Sequence, residues 1–139
     1  MKSFTDLTTW QEGHRLVLAV YGATKSFPKE EQFGLTSQIR RAAVSITSNI
    51  AEGFSRSTLA DKSHFYIMAY GSLTELQNQL LIARDVNYIT AEVFAKIADR
   101  SVATQKLISG LIRSIKSGKG VRTELPDTRY KIHATKEQT

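Results

Sequence analysis

One pair of side chains in this sequence stands at a spacing that metal-binding helical bundles use. Asp61 and His64 are three residues apart, as in the Glu-x-x-His motif that supplies ligands to di-iron bundles. Such a centre needs the motif on two helices together with two further glutamates, and this chain has no second copy. The three histidines, His14, His64 and His133, are dispersed along the chain. The pattern therefore favours an ordinary surface pair over a metal site.

Other catalytic patterns are also absent from the sequence. The chain contains no cysteine, which excludes thiol catalysis, Cys-ligated zinc, iron–sulfur clusters and disulfides. It has no glycine-rich phosphate loop of either standard pattern, and no nucleophile elbow surrounds a serine. We therefore expect no catalytic residues, no cofactor and no metal, and we predict that the protein is not an enzyme.

A row of polar residues on the second predicted helix is more informative. Its five side chains fall within an arc of about 80° at 100° per residue, beside the apolar face. The row mixes hydroxyls and amides with one Arg and one Glu, which suits a hydrogen-bonded seam against another helix or subunit. A ligand site is the alternative interpretation, and Glu75 on the third helix is a candidate charged partner. The row, which we call the polar seam, consists of Gln38, Arg41, Ser45, Asn49 and Glu52.

Four amphipathic helices must position these residues. In the clearest one, Leu59, Tyr66, Leu73 and Leu80 recur every seven residues, the pattern of helices packed at small crossing angles. Only two prolines interrupt the 139 residues, and short joints make consecutive helices antiparallel neighbours. We therefore predict an all-α, up-down-up-down four-helix bundle. The predicted helices run from about Trp10 to Phe27, from Gly34 to Phe54, from Thr58 to Val86, and from after Thr90 to about Lys116.

Local signals predict where the helices begin and end. Thr9 is the predicted N-cap of the first helix, with Glu12 completing a capping box, and Pro28 is expected to end that helix. Ser55 or Ser57 is the candidate cap of the third helix. The third and fourth helices are longer than the first two, which leaves apolar surface for another subunit.

The basic residues suggest a partner and a division of the chain. The formal net charge is +6, and half of it lies between Lys116 and Thr139. That segment contains six Lys and Arg residues and three acidic residues. We expect residues 1–117 to form the bundle and residues 118–139 to form a flexible basic tail. Such a charge permits nucleic-acid binding. The predicted phosphate contacts are Arg40, Arg56, Lys62, Lys116, Lys119 and Arg122.

No apolar run follows the N-terminus, so we expect no signal peptide. No stretch of the sequence reaches the length of a membrane span. We therefore expect a soluble protein of the cytoplasm with no membrane partner.

The motifs of the second helix resemble those of a known family. The run Phe33-Gly34-Leu35-Thr36-x-Gln38-Ile39-Arg40-Arg41-Ala42-Ala43-Val44-Ser45-Ile46 is followed by Ser48-Asn49-Ile50-Ala51-Glu52-Gly53 and later by Gly71-Ser72-Leu73-x-Glu75-Leu76. This pattern resembles the 23S rRNA intervening-sequence proteins, small bacterial four-helix bundles also called ribosomal-protein-like. The likeness covers about residues 4–115. Thr47 departs from it where the family's proline is expected, and Gln77 where an acid is more frequent.

The resemblance implies a ring-like homo-pentamer. It also suggests a distant likeness to the accessory proteins of diversity-generating retroelements, basic pentamers that engage a reverse transcriptase and nucleic acid. Together with the basic charge, it predicts a non-enzymatic, oligomeric protein that binds RNA or other nucleic acid. The alternative is a protein-interaction scaffold, such as a partner of a reverse transcriptase.

Overall fold

The computed structural model describes residues 2–118, and every regular element in that range is helical. Consecutive helices pack against each other, and the first also packs against the last. Each helix thus packs against two others, and this arrangement confirms the predicted all-α four-helix bundle. The α-helices are α1 (Thr8–Thr24), α2 (Leu35–Ser55), α3 (Leu59–Asp85) and α4 (Ala91–Lys116), with single 3₁₀ turns at Phe4–Asp6 and Lys29–Glu31.

The beginning of α1 differs from its prediction. Its N-cap is Leu7, which has no side chain to accept a hydrogen bond, so Thr9 is not the cap. The capping box lies one turn earlier, at the 3₁₀ segment. There the Ser3 hydroxyl accepts from the backbone N–H of Thr5 at 3.2 Å, and the Asp6 carboxylate accepts from the backbone N–H of Ser3 at 3.3 Å. The predicted capping box of Thr9 and Glu12 was therefore wrong, and the box formed by Ser3 and Asp6 was not predicted.

Two further helix ends also shift from their predicted positions. α1 ends at Thr24, before Phe27, and Phe27 continues into a turn through its N–H bond to the Thr24 carbonyl at 3.1 Å. α3 is capped by Thr58, whose hydroxyl accepts from the backbone N–H of Asp61 at 3.1 Å, and not by Ser55 or Ser57. Residues 119–139 of the predicted tail lie outside the described residues.

The core follows the predicted apolar faces. Ile46 of α2, Leu73 of α3 and Ile108 of α4 are fully buried, and burial of such side chains is the main force that holds the bundle together. Tyr66, Leu73 and Leu80 of the seven-residue repeat are buried as predicted. The first member, Leu59, is 36% exposed because it is the first residue of α3 and lies at the end of the bundle.

Gly53 allows the last turn of α2 to lie directly against α3. A Cβ atom placed on Gly53 would stand 2.7 Å from Cε1 of Tyr66 and 3.1 Å from Cβ of Phe65. The Phe65 Cβ is attached to the α3 backbone, so it cannot retreat unless the helix moves. A side chain at position 53 therefore overpacks this crossing.

Glu31 joins the start of α2 to the connection between α3 and α4. Its Oε1 accepts from the backbone N–H of Leu35 at 3.1 Å, and its Oε2 accepts from the Tyr88 hydroxyl at 2.8 Å. The N-cap of α2 is Gly34, which has no side chain, so Glu31 supplies the missing acceptor. The Leu35 N–H and then the Tyr88 hydroxyl lower the pKa of Glu31, and the same Glu31 bond raises the pKa of Tyr88.

We predict that Gly53→Ala lowers the free energy of unfolding by about 1–3 kcal/mol, the usual range for overpacking. The matched control is Gly110→Ala in the interior of α4, where the added Cβ meets nothing nearer than 3.9 Å. The control should gain roughly 0.5–1 kcal/mol from the higher helix propensity of alanine. Urea denaturation at one fixed protein concentration measures both variants. Equal effects at the two positions would contradict the close packing at Gly53.

We also predict that Glu31→Gln makes the free energy of unfolding differ less between neutral and acid pH than it does in the wild type. The folded state lowers the pKa of Glu31 below its ordinary value of 4.5, so its carboxylate stabilises the fold above that value. This contribution disappears as the pH falls through the folded-state pKa. In thermal melts at pH 7, the melting temperature of the variant should be lower than that of the wild type. The difference between the two melting temperatures should disappear at acid pH. A gap that persists unchanged at acid pH would show that the Glu31 charge has no part in the fold.

Candidate nucleic-acid interface and polar seam

Arg40 lies against α1. Its Nε donates to the Thr24 hydroxyl at 2.8 Å, and its guanidinium lies over the Tyr21 ring with 4.7 Å to the ring centroid. Arg40 is therefore held against α1 and does not extend freely into solvent, and its predicted phosphate contact stays a prediction. It is held there because α1 ends beside the first half of α2, and a long basic side chain covers the exposed aromatic ring there.

Lys62 also has a structural role that its sequence position does not reveal. Its Nζ donates to the carbonyl oxygens of Phe54 at 2.8 Å and Gly53 at 3.3 Å, the last turn of α2. A cation at a helix C-terminus satisfies unpaired carbonyls and matches the negative end of the helix dipole. Partial burial lowers the pKa of Lys62. Its ammonium group therefore faces the α2 terminus, and the phosphate contact expected of Lys62 stays a prediction.

The other predicted phosphate contacts differ among themselves. Arg56 forms an ion pair with Glu52 at 3.1 Å and lies over the Phe65 ring at 4.7 Å. Lys116, the last residue of α4, is exposed, and its side chain has no hydrogen bond or ion pair within residues 2–118. The two remaining residues, Lys119 and Arg122, lie outside the described range.

The middle of the polar seam is a contact between α2 and α3 of the same chain. The hydroxyls of Ser45 and Ser72 are 2.8 Å apart, and the Asn49 side-chain amide donates to the Ser45 carbonyl at 2.8 Å and to the Ser45 hydroxyl at 3.1 Å. These groups satisfy each other at a partly buried position, as a structural network requires. Ser45 and Asn49 thus belong to helix packing.

The ends of the polar seam lie in solvent. Gln38, Arg41 and Glu52 are all exposed. Glu75, the predicted charged partner, is also exposed, and its carboxylate accepts from the side-chain amide of Gln79 on its own helix at 3.4 Å. The structure therefore does not bring Glu75 and Arg41 together as an ion pair.

A second polar cluster, between α3 and α4, was not predicted. The Gln77 amide donates to the Ser101 hydroxyl at 3.2 Å and to the Gln105 carbonyl oxygen at 3.3 Å, and the Gln105 amide donates to the Tyr70 hydroxyl at 2.8 Å. The sequence signal that could have predicted this cluster was spacing: Tyr70 and Gln77 are seven residues apart on α3, and Ser101 and Gln105 are four apart on α4. Gln77 is the position that departs from the family pattern, and a neutral amide there can donate to a hydroxyl where a carboxylate could only accept.

Cations without partners follow the outer face of α4. Lys106 lies about 160° around the helix from the buried Ile108, and Arg113 and Lys116 fall within about 80° of Lys106. All three are exposed, and their side chains have no hydrogen bond or ion pair within residues 2–118. The row spans about 15 Å, and the chain has no acid between Asp99 and Gly118. We call Lys106, Arg113 and Lys116 the α4 cation row.

Between Ile67 and Ile82 the outer face of α3 carries no charge, and the exposed Asp85 follows on the same side at the end of the helix. At 100° per residue its six members share an arc of about 100°, centred about 160° from the buried Leu76 and Leu80. Ile67 on this face is 52% exposed, and the leucine and second isoleucine are similarly exposed. A helix that is apolar on all sides is normally covered on all sides. The outer α3 face consists of Ile67, Gly71, Thr74, Asn78, Leu81 and Ile82.

Asp61 and His64 are the two residues with the spacing of the metal-binding motif. Both are exposed on the first turns of α3. No group of three or more histidine and acidic side chains within residues 2–118 is arranged to hold a metal ion. In the same range, no helix has both the length and the apolar character required to cross a membrane.

The antiparallel packing and the helix lengths define a four-helix-bundle protein, and comparison gives its family. The family model described as 23S rRNA-intervening sequence protein matches residues 5–110. The chain therefore belongs to the 23S rRNA-intervening sequence protein family, as the sequence resemblance predicted.

A solved structure has the same fold. It is the 1.70 Å crystal structure of a protein of unknown function from the S23 ribosomal protein family of Bacteroides thetaiotaomicron VPI-5482. The TM-score is 0.71 and the identity 22%, over 76% of this chain and 99% of that chain. At this identity the likeness concerns the fold alone. No match was found among curated proteins.

Proposed function

We propose that this protein is a non-enzymatic, homo-oligomeric RNA-binding protein of the cytoplasm. The observation that supports this most is the α4 cation row, three unpaired cations on one exposed face with no acid among them. Nucleic-acid affinity depends mainly on such contacts with phosphates, which position the partner without reading its sequence. The basic residues Lys119 and Arg122 continue the same charge along the chain.

A homo-oligomer is supported by the outer α3 face. Apolar side chains on this face remain half exposed in one chain, and a second chain packed there would remove them from water. The family resemblance suggests five subunits. A pentamer would multiply the net charge of +6 fivefold on one particle, which would strengthen its attraction for RNA.

A protein-interaction scaffold, such as a partner of a reverse transcriptase, is the second candidate function. The uncharged outer α3 face favours it, since a partner protein could cover that face instead of another subunit. Nuclease treatment separates the two functions, because an RNA-bridged complex dissociates when the RNA is digested and a direct protein complex survives.

We predict that Lys106→Gln/Arg113→Gln weakens RNA binding and flattens its salt dependence. Each lost contact with a single strand should reduce the slope of log K against log salt by about 0.7, so the double variant should lose about 1.4 per chain. Fluorescence anisotropy with a labelled RNA across a salt series measures this slope. No binding by the wild type at low salt would overturn the proposed function.

The matched control is Arg15→Gln/Arg84→Gln. It removes the same charge from two exposed cations that are already paired, Arg15 with Glu12 at 2.9 Å and Arg84 with Asp85 at 2.8 Å. We expect this control to keep nearly the wild-type slope. Equal losses in both variants would mean that net charge alone, and not the α4 cation row, attracts RNA.

We predict that Gly71→Arg converts the oligomer to a monomer while its helix content is retained. Gly71 lies in the middle of the outer α3 face, a Cβ there meets no atom within 4 Å, and arginine favours helix more than glycine. Light scattering should give several times 15.5 kDa for the wild type and 15.5 kDa for the variant. Leu18→Arg, on the exposed side of α1, is the control that should leave the mass unchanged. A wild-type monomer at micromolar concentration would refute the assembly.

A further inference from the structure

A groove of about 670 Å³ opens between the end of α1 and the start of α2. Tyr21 and Phe33 supply aromatic surface, and Arg40 and Arg41 supply positive charge. The remainder of the lining is uncharged and consists of Gln32, Thr36, Ser37, Val44 and Ser45. The groove is therefore cationic and aromatic at once, a combination that the α4 cation row does not have.

Phe33 is the side chain whose exposure needs an explanation. It is 91% exposed, far more than any other large apolar residue in the described part of the chain. Its segment is held in place, since the N–H of Gly34 bonds to the Glu31 carbonyl at 2.9 Å and the N–H of Leu35 bonds to the Glu31 carboxylate at 3.1 Å. An aromatic ring presented to water on a fixed backbone is a preorganised contact for a partner.

The two arginines of the groove are placed differently. Arg40 is fixed by its hydrogen bond to Thr24 and by the Tyr21 ring, so its guanidinium already stands at the groove. Arg41 is exposed, and its side chain has no hydrogen bond or ion pair within residues 2–118. A planar guanidinium binds phosphate through two parallel hydrogen bonds, and the fixed Arg40 beside it adds a positive field that attracts the anion.

We propose that this groove binds one unpaired nucleotide of the RNA, with its base stacked on Phe33 and its phosphate held by Arg41 beside Arg40. The proposal rests on the proposed RNA-binding function and adds a preference to it. A base inside a duplex is already stacked and cannot lie against a side chain, whereas a base in a loop or single strand can. The α4 cation row would attract any RNA, and the groove would select unpaired segments.

The experiment compares one labelled single-stranded RNA oligonucleotide with its duplex of the same length. We expect Phe33→Leu to weaken single-strand binding about tenfold, because stacking on an aromatic ring contributes about 1–3 kcal/mol per base, and to leave duplex binding unchanged. Phe33→Trp, which keeps an aromatic ring, should retain the single-strand affinity. Phe33 is almost wholly exposed, so these variants do not disturb the core.

The charge of the groove is tested in the same assay. Arg41→Gln should weaken single-strand binding more than Arg15→Gln does. The control Arg15→Gln also removes one exposed charge, but Arg15 lies in the first half of α1 and does not line the groove. A thiouridine-substituted single strand, irradiated with the wild type, should crosslink to the peptide that contains Phe33.

Each outcome distinguishes the two proposals. If the wild type binds both RNAs and Phe33→Leu weakens both equally or neither, the groove proposal is overturned while RNA binding stands. If the wild type binds neither RNA, the proposed function fails as well. If an acidic peptide containing phenylalanine binds the wild type and the single-stranded RNA does not displace it, the groove is a peptide site and the proposal is wrong.

Discussion

The bundle depends on α3, the helix that has apolar side chains on every side. Its inner face, with Leu73 and Leu76, is fully buried against the other helices. On its outer face, Ile67 and Leu81 are exposed to water. The hydrophobic effect favours burial of these two side chains just as it favours burial of Leu73 and Leu76. The proposed contact with a second subunit would remove this outer face from water.

Most basic side chains of α2 and early α3 serve the bundle itself. Arg40 covers an aromatic ring of α1, Lys62 closes the end of α2, and Arg56 pairs with Glu52. Long basic side chains are suited to this because their stems pack on apolar surface while their charged ends reach carbonyls or carboxylates. The charge that remains for a partner is therefore less than the number of basic residues suggests, and it includes Arg41 and the α4 cation row.

In the proposed function, the α4 cation row and the groove beside Phe33 contact RNA in different ways. A row of separate cations on a helix gives attraction that salt weakens and that ignores base identity. A fixed aromatic ring next to a guanidinium requires a free base at a set distance from a phosphate. Both features lie outside the core, so either can change in the family without altering the four-helix architecture.

The sequence by itself determined the architecture and the local networks. The seven-residue repeat from Tyr66 to Leu80 defined the core face of α3, and the spacing of Ser45 and Asn49 located the polar seam, because positions three, four and seven residues apart share one side of a helix. Such patterns show which residues of one helix share a side, because that depends only on their spacing along the helix. They can therefore be read before any tertiary contact is known.

Only the tertiary structure decided which polar and charged side chains are available to a partner. Arg40 meets Thr24 from sixteen residues away along the chain, and Gln77 meets Ser101 across the joint between α3 and α4. These meetings depend on the relative rotation and height of two packed helices, which no pattern within one helix encodes. The capping box at Ser3 was missed for a related reason, since a short 3₁₀ turn has too few residues to show a period. Composition and periodicity thus fixed the bundle, and helix packing decided which of its cations face outward.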